Sequence, residues 1–439
     1  MRAPTGRDGG AAPDRERVFT MDTSSIVFGA GATREVGAHV RRLGPSRVMV
    51  VTDEGLAGGP VVETVLASLR SAGIDAAVFG DVEIEPTDAS FARAIAFARE
   101  GPFDGYVAVG GGSVIDTAKA ANLYATYPAD LLAYVNAPIG RGEDVPGPLA
   151  PLVALPTTAG TGSETTGVAI FDVLSLHAKT GIAHRALRPA LGIVDPDNAR
   201  GMPPMVAACS GLDVLSHAIE SLTALPFDRR PAPDSPAARP AYQGANPVSD
   251  VWSSTAIELV RDNLLRSILD PDDDEARSQM MLAATYAGIG FGNAGVHLPH
   301  GMSYPVSGMV RAYRPAGYPA HKPLVPHGMA VILTAPAAFR FTAPADPARH
   351  LRAAALLGAD VDVDPGDGAA AGEALAGAIV NVMRATGMPN GLAGVGFDAS
   401  DAPRLAAGTL PQHRVTKLSP RAADEADLVA IFEAAMHAW

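Results

Sequence analysis

The sequence predicts an α/β domain built on a parallel sheet, followed by an all-α domain. Three observations carry this. In the first half, short continuously apolar runs alternate with helical patterns. After about residue 205 the strand signals thin out and long helical patterns dominate. A proline-rich stretch at 225–248 interrupts those helices. Continuously apolar strands separated by helices belong to a sheet covered on both faces.

The elements follow in order. Residues 1–20 (MRAPTGRDGGAAPDRERVFT) are rich in Gly, Ala and Arg. Transit peptides are Arg-rich but poor in acids. Asp8, Asp14 and Glu16 argue against one, so a disordered tail is expected. Strands are expected at 47–51 (RVMVV), 76–79 (AAVF), 105–109 (GYVAV), 151–155 (PLVAL) and 191–194 (LGIV). Helices near 60–72, 88–100 and 113–126 complete a first domain over 21–204. Helical periodicity then marks 206–223, 249–268, 274–291, 327–341, 370–387 and 423–437, giving a second domain over 205–439. The 225–248 stretch exceeds an ordinary helix link. Such loops are lids, binding loops or disordered.

Composition narrows the partners. A chain of 439 residues is long enough for two cores. With 34 Lys+Arg against 47 Asp+Glu, the formal net charge is −13. That excess argues against a nucleic-acid groove or a polybasic membrane anchor. The longest apolar run, 330–339, is shorter than a membrane span and contains Pro336. A single cysteine, Cys209, excludes an intramolecular disulfide and a Cys-rich zinc site. A reducing, cytoplasmic location is expected.

Five stretches could carry chemistry. In VAVGGGSVIDTAK (107–119), Gly111, Gly112 and Ser113 join a strand to a helix. Glycines there allow close ligand approach, and a helix start presents free N–H groups to phosphate. The same residues fit a plain turn with Ser113 as N-cap and Asp116 as its capping-box partner. ALPTTAGTGSETTG (154–167) follows another strand, and Thr157, Thr158, Thr161 and Ser163 offer hydroxyls to a pyrophosphate or ribose. Asp53 closes the strand at 47–51. It could bond a ribose hydroxyl and favour NAD over NADP, or cap the next helix. Asp213 and His217 lie at i and i+4 on one helical face, fit for a divalent cation or for a simple Asp–His pair. Finally, GNAGVHLPHGMSYP (292–305) and VPHGM (325–329) hold His297, His300, Tyr304 and His327. Asp213, His217, His300 and His327 would make a one-carboxylate, three-imidazole site with an open position, suited to Fe(II) or Zn(II). Spacing alone leaves His297 as an equal rival of His300.

In this order, GGGSVIDTAK, PTTAGTGSE, GLDVLSHAIE, HGMSYP and PHGMAVIL resemble the iron-dependent (group III) alcohol dehydrogenases, from about residue 22 to the C-terminus. EPTDASFARAI, GSETTGVAIFD, RPAYQGANPVSD, GIGFGNAGVHLPHGMSYPVSG and GTLPQHRVTKLSP are similar to a transhydrogenase subgroup within that family. The resemblance implies a dehydroquinate synthase-like architecture: an N-terminal dinucleotide-binding domain, a helical domain, and a metal in the cleft between them. Asp213, His217, His300 and His327 match the metal-ligand positions. Asp53, Gly111, Gly112, Ser113, Thr157, Thr158 and Lys179 match positions that contact NAD. Asp116 lies in the same motif and is expected to orient the loop. His297 matches no shared ligand position and is expected as a donor in the substrate pocket.

The resemblance also implies an activity. A small hydroxyacid of the 4-hydroxybutyrate type would give up hydride through bound NAD to 2-oxoglutarate, helped by Fe(II) or Zn(II). The alternative is an ordinary NAD-dependent alcohol dehydrogenase that releases NADH. Many family members have a second histidine where this chain has Tyr304, so Tyr304 is expected to take part in catalysis. Substrate carboxylates call for cations, and His297, Arg239, Arg311, Arg314 and Lys322 are the candidates. A homo-oligomer is expected from the family likeness.

Overall fold

The computed structural model describes residues 15–176, 178–318 and 323–439. Six parallel strands form one sheet in the order β1-β8-β5-β4-β2-β3. They are β1 (Ser25–Phe28), β2 (Arg47–Asp53), β3 (Asp75–Val82), β4 (Gly105–Gly110), β5 (Leu152–Pro156) and β8 (Leu191–Val194). The apolar runs form strands because both of their faces are covered. Val48, Val50, Val107, Val109, Val153 and Leu155 pack on one side against α1 (Val36–Leu43) and α2 (Pro60–Ser71). Met49, Val51, Tyr106, Ala108, Leu152 and Ala154 pack on the other against α3 (Asp88–Glu100) and α4 (Gly112–Thr126). Because β5, β4 and β2 are neighbours, the loops at their carboxyl ends lie side by side.

The expected strands are all present. Two features lacked a clear sequence signal. The edge strand β1 has only four residues. An antiparallel hairpin, β6 (Val168–Val173) with β7 (Ala178–Ala183), stands outside the main sheet.

The second half is helical. α5 (Pro204–Thr223) is buried on every side from Val206 onward apart from Ser210. Against it pack α6 (Pro247–Leu269), α7 (Asp274–Ala294), α9 (His327–Thr342) and α10 (Pro347–Leu356), and α8 (Leu298–Gly308), α11 (Gly368–Ala385), α12 (Ala402–Thr409), α13 (His413–Thr416) and α14 (Glu425–Ala434) complete the helical half. α8 escapes a periodicity reading because it contains Pro299, Gly301 and Pro305. No described helix is long and apolar enough to cross a membrane.

The proline-rich 225–248 segment is tied down. Gln243 N–H donates to the Asn293 carbonyl (2.7 Å) and Gly244 N–H to that of Ala294 (2.9 Å). Those bonds set Tyr242 against Phe291. Of the expected N-terminal tail, residues 1–14 lie outside the described residues. Residues 15–20 do not belong to a loose tail. Glu16 accepts from Arg239 Nε at 2.9 Å, and Thr20 N–H donates to Gln243 at 3.0 Å.

The loop after β5 is wedged onto α7. Gly162 adopts a left-handed conformation (φ 58°). A Cβ placed on Gly288 would lie 2.3 Å from Thr165 Oγ1 and 2.9 Å from Gly162 Cα. Gly288→Ala is therefore expected to destabilise the protein by roughly 1–3 kcal/mol. An unchanged urea midpoint would show that this contact gives way freely.

Candidate active site

The helical half brings four ligand-type side chains together. Asp213 and His217 project one turn apart from buried α5, His300 comes from the first turn of α8, and His327 opens α9. Asp213 Oδ1 stands 3.6 Å from His300 Nε2 and 3.9 Å from His327 Nε2, and Asp213 Oδ2 stands 3.9 Å from His217 Nδ1. These gaps are too long for good hydrogen bonds. Asp213 Oδ1, His217 Nδ1 and His300 Nε2 are buried and make no hydrogen bond within the protein. Converging donors left without partners are what a divalent cation requires. Ligand atoms of Asp213, His217 and His300 all lie within 4.8 Å of one another, and His327 joins through Asp213.

Glu220 supports this cluster from one helical turn beyond His217. It pairs with His300 Nδ1 and accepts the backbone N–H groups of His297 (2.8 Å) and His300 (3.2 Å). That carboxylate fixes the His300 tautomer and turns Nε2 toward Asp213. Burial alone would depress the His300 imidazole, but Glu220 and Asp213 outweigh it and push it up to about 9. Burial holds His217 down to about 3.

Two cavities meet at this cluster. The larger, about 1380 Å³ including its open mouth, is lined by Asp53, Gly111, Gly112, Ser113, Thr157, Thr158 and Thr161, and reaches Asp213 and His327. A Cβ on Gly112 would lie 2.5 Å from Thr161 Cγ2, so glycine there keeps the two loops in contact. The smaller, about 720 Å³, is walled by Lys179, Asp213, His217, Tyr242, Phe291, His300, Tyr304, His327 and Arg414. Glu85, Gly112, Ser113, Thr161, Asp213 and His327 border both.

The open alternatives resolve as follows. Ser113 is not a cap, because α4 begins at Gly112 with no side-chain cap bond. Asp116 instead accepts from Ser163 Oγ (2.5 Å) and Ile170 N–H (2.9 Å), with buried Lys119 Nζ at 3.4 Å and also bonded to Ser163 (2.7 Å). It binds the β4 loop to the β5 loop. Asp53 does not cap α2, which begins seven residues on at Pro60; its Oδ1 accepts from Leu56 N–H at 3.1 Å. Tyr304 lines the inner cavity, its ring 6.3 Å from that of His327.

Several expectations need correction. His297 is absent from both cavity walls. It is the residue just before α8, so its ring leaves the face that carries His300. Its Nε2 faces Thr223 Oγ1 at 3.0 Å, and its ring meets Phe339 edge-on. Lys179 lines the inner cavity together with Gly112, Ser113 and Thr161 of the glycine loops, held by Glu85 and by Asp172 at 3.5 Å. Arg239 is committed to Glu16 and Arg311 to Asp401. Arg314 is exposed and forms no part of either wall, and Lys322 lies outside the described residues. Sequence reasoning missed Glu220, Glu85 and Arg414. Glu220 had a signal: Asp213, His217 and Glu220 follow the i, i+4, i+7 spacing of one helical face.

A loop-lined cleft over parallel strand ends, joined to a buried carboxylate–imidazole cluster that could hold a divalent cation, fits the centre of an oxidoreductase. Residues 23–196 match the family described as iron-containing alcohol dehydrogenase, and residues 241–436 match the C-terminal part of the Fe-containing alcohol dehydrogenase family. The chain belongs to this family and is an enzyme of it. It is 54% identical over 420 residues to the Mus musculus protein named "Hydroxyacid-oxoacid transhydrogenase, mitochondrial", covering 95% of this chain and 90% of that one. The Homo sapiens protein of the same name is 52% identical, with the same coverage. Among solved structures, a 1,3-propanediol oxidoreductase superposes with a TM-score of 0.82 at 30% identity, covering 95% of this chain and 100% of that one. The names of the relatives overturn the cytoplasmic expectation, since both are mitochondrial. One buried cysteine fits any reducing compartment, so Cys209 never discriminated between them.

Two predictions follow from the cluster. In the metal-free protein His300 is protonated below about 9. A cation must displace that proton, so affinity should rise roughly tenfold per pH unit through neutrality and level off above the pKa. Calorimetric titration in buffers of different ionisation enthalpy reads the released proton; a pH-independent affinity would contradict this. Glu220→Gln should weaken metal binding by about 10- to 100-fold, measured by competition with a chelator.

Proposed function

We propose that this enzyme is a hydroxyacid–oxoacid transhydrogenase that works with bound NAD and a divalent metal, Fe(II) in preference to Zn(II). The reaction takes hydride from a hydroxyacid of the 4-hydroxybutyrate type and delivers it to 2-oxoglutarate, giving succinic semialdehyde and 2-hydroxyglutarate. The observation that carries this reading is the junction of the two cavities at Asp213 and His327. A cofactor in the long cleft and a small substrate in the inner cavity would meet at the metal set. The names of the relatives support the substrate classes, and the family likeness supports a homo-oligomer.

A cation held by Asp213, His217, His300 and His327 supplies Lewis acidity to a hydroxyl or carbonyl oxygen. NAD supplies the hydride acceptor and donor. The protein's own groups do the rest. The Gly111–Gly112–Ser113 turn offers a helix N-terminus to the pyrophosphate, and Thr157 and Thr158 add hydroxyls beside it. Asp53 faces the same cleft, where a carboxylate suits a free ribose hydroxyl and repels a 2′-phosphate. Phe291 stacks 3.9 Å from the His217 ring and keeps water off that side. Tyr304 is 3% exposed. Its hydroxyl accepts from Arg414 Nη2 at 2.6 Å and keeps its own proton to donate. Over a full cycle the hydride and the hydroxyl proton are both returned to the second substrate. Such a cycle needs no proton exit to solvent, which fits a buried tyrosine at position 304.

Purified protein given 4-hydroxybutyrate and 2-oxoglutarate, with no added nicotinamide, is expected to form 2-hydroxyglutarate. Turnover that appears only with free NAD would establish an ordinary dehydrogenase instead.

A further inference from the structure

Among the described residues, the inner cavity holds one cation, Arg414, with no carboxylate at ion-pair distance. Lys179 is met by Glu85 and Asp172. Lys119, buried behind the loops, has Asp116. Arg414 has no carboxylate within ion-pair distance among the described residues. Its Nη2 donates to the Tyr304 hydroxyl at 2.6 Å, and its guanidinium carbon stands 5.3 Å over the Tyr242 ring. Its Nη1 is buried and makes no hydrogen bond. Two tyrosines hold and orient this group, yet they leave its charge and one N–H edge unanswered. A partly buried guanidinium with no carboxylate partner among the described residues is well placed to receive an anion.

We propose that Arg414 is the carboxylate-recognising residue of the substrate pocket, and that it receives the same distal carboxylate of both substrates. This rests on the transhydrogenase reading above. In 4-hydroxybutyrate, two methylenes separate the carbinol carbon from the carboxylate. In 2-oxoglutarate, two methylenes separate the keto carbon from the distal carboxylate. One cation at a fixed distance from the metal set therefore serves both half-reactions and measures chain length. The wall supplies that arrangement. His327 belongs to the metal set, the Tyr304 ring lies 6.3 Å from it, and the Tyr304 hydroxyl is bonded to Arg414. The pairing also accounts for Tyr304: its phenol oxygen gives the guanidinium an acceptor without adding a negative charge that would repel the substrate. Two residues before Arg414, the Gln412 side chain donates to the Lys179 carbonyl at 3.1 Å and ties the start of α13 to β7.

A competing account exists on the far side of the guanidinium. There a small cavity bordered by Asn136, Thr180 and Gln412 also touches Arg414, and its size suits a single water. Water there would answer Nη1 and leave Arg414 with a structural role.

The two accounts separate when charged and uncharged ligands are compared. Arg414→Met and Arg414→Lys would be assayed with 4-hydroxybutyrate, with 2-oxoglutarate, and with butan-1-ol, which lacks the carboxylate. Where butan-1-ol is not turned over, it would be followed as a competitive inhibitor. Arg414→Met should raise the KM of both acids on the order of 100-fold, and at least roughly tenfold more than it changes the constant for butan-1-ol. Arg414→Lys keeps the charge but loses the planar fork, and should raise only the acid KM values, by roughly tenfold. If Arg414→Met does not fold, the lysine variant decides alone. In the wild type, 3-hydroxypropionate, one methylene shorter, should bind more weakly than 4-hydroxybutyrate. Equal losses for acids and alcohol, or unchanged acid KM values, would overturn the proposal. Should the wild type need free NAD, the transhydrogenase reading fails, and the acid–alcohol comparison with NAD supplied still decides the role of Arg414.

Discussion

Burial of the Asp213 carboxylate among three imidazoles is the constraint on which the rest of the structure depends. A carboxylate this deep is tolerated only with strong compensation. Burial would raise its pKa, but the charges of His217, His327 and His300 reverse that and hold it well below the usual carboxylate range. The price is a cluster of orphaned nitrogens and an orphaned oxygen that no side chain satisfies. A cation is the economical answer. The helical half is arranged around that requirement: α5 supplies two ligands and the supporting Glu220, while α8 and α9 each begin where their histidine is needed.

The α/β half is fitted to the same point. The β4 loop and the β5 loop are locked to each other by Asp116, Ser163 and Lys119. The β5 loop is in turn seated on α7 through Gly162 and Gly288, with Glu164 bonded to Thr285 at 2.9 Å. The loops of the cleft are therefore seated on the helical half through close backbone contact. Glu85 sits at the junction with φ 56°, the one non-glycine positive φ among the described residues. Its carboxylate engages Lys179 and borders both cavities. Strain held at such a junction is characteristic of a functional site.

Much of this was legible in the sequence. The strands β2, β4 and β5 declared themselves because sheets buried on both faces need unbroken apolar runs. Asp213 and His217 were visible through helical spacing. His300 and His327 were less so: only the start of α8, just after His297, separates a ligand from a packed neighbour. Pro299 and Pro305 hid that helix. Edge strand β1 is too short for periodicity, and β7 (AKTGIA) has a poor strand composition. Arg414 carried no local signal, since its partner Tyr304 is 110 residues away. Long-range pairings of this kind arise from tertiary packing, which spacing rules do not reach.

Isotope transfer between substrates tests the central claim most directly. 4-Hydroxybutyrate deuterated at its carbinol carbon would be incubated with 2-oxoglutarate and an excess of unlabelled free NADH. If hydride passes through a cofactor held in the cleft, 2-hydroxyglutarate should carry undiluted deuterium at C2. Dilution of the label to the isotopic level of the free pool would contradict the account.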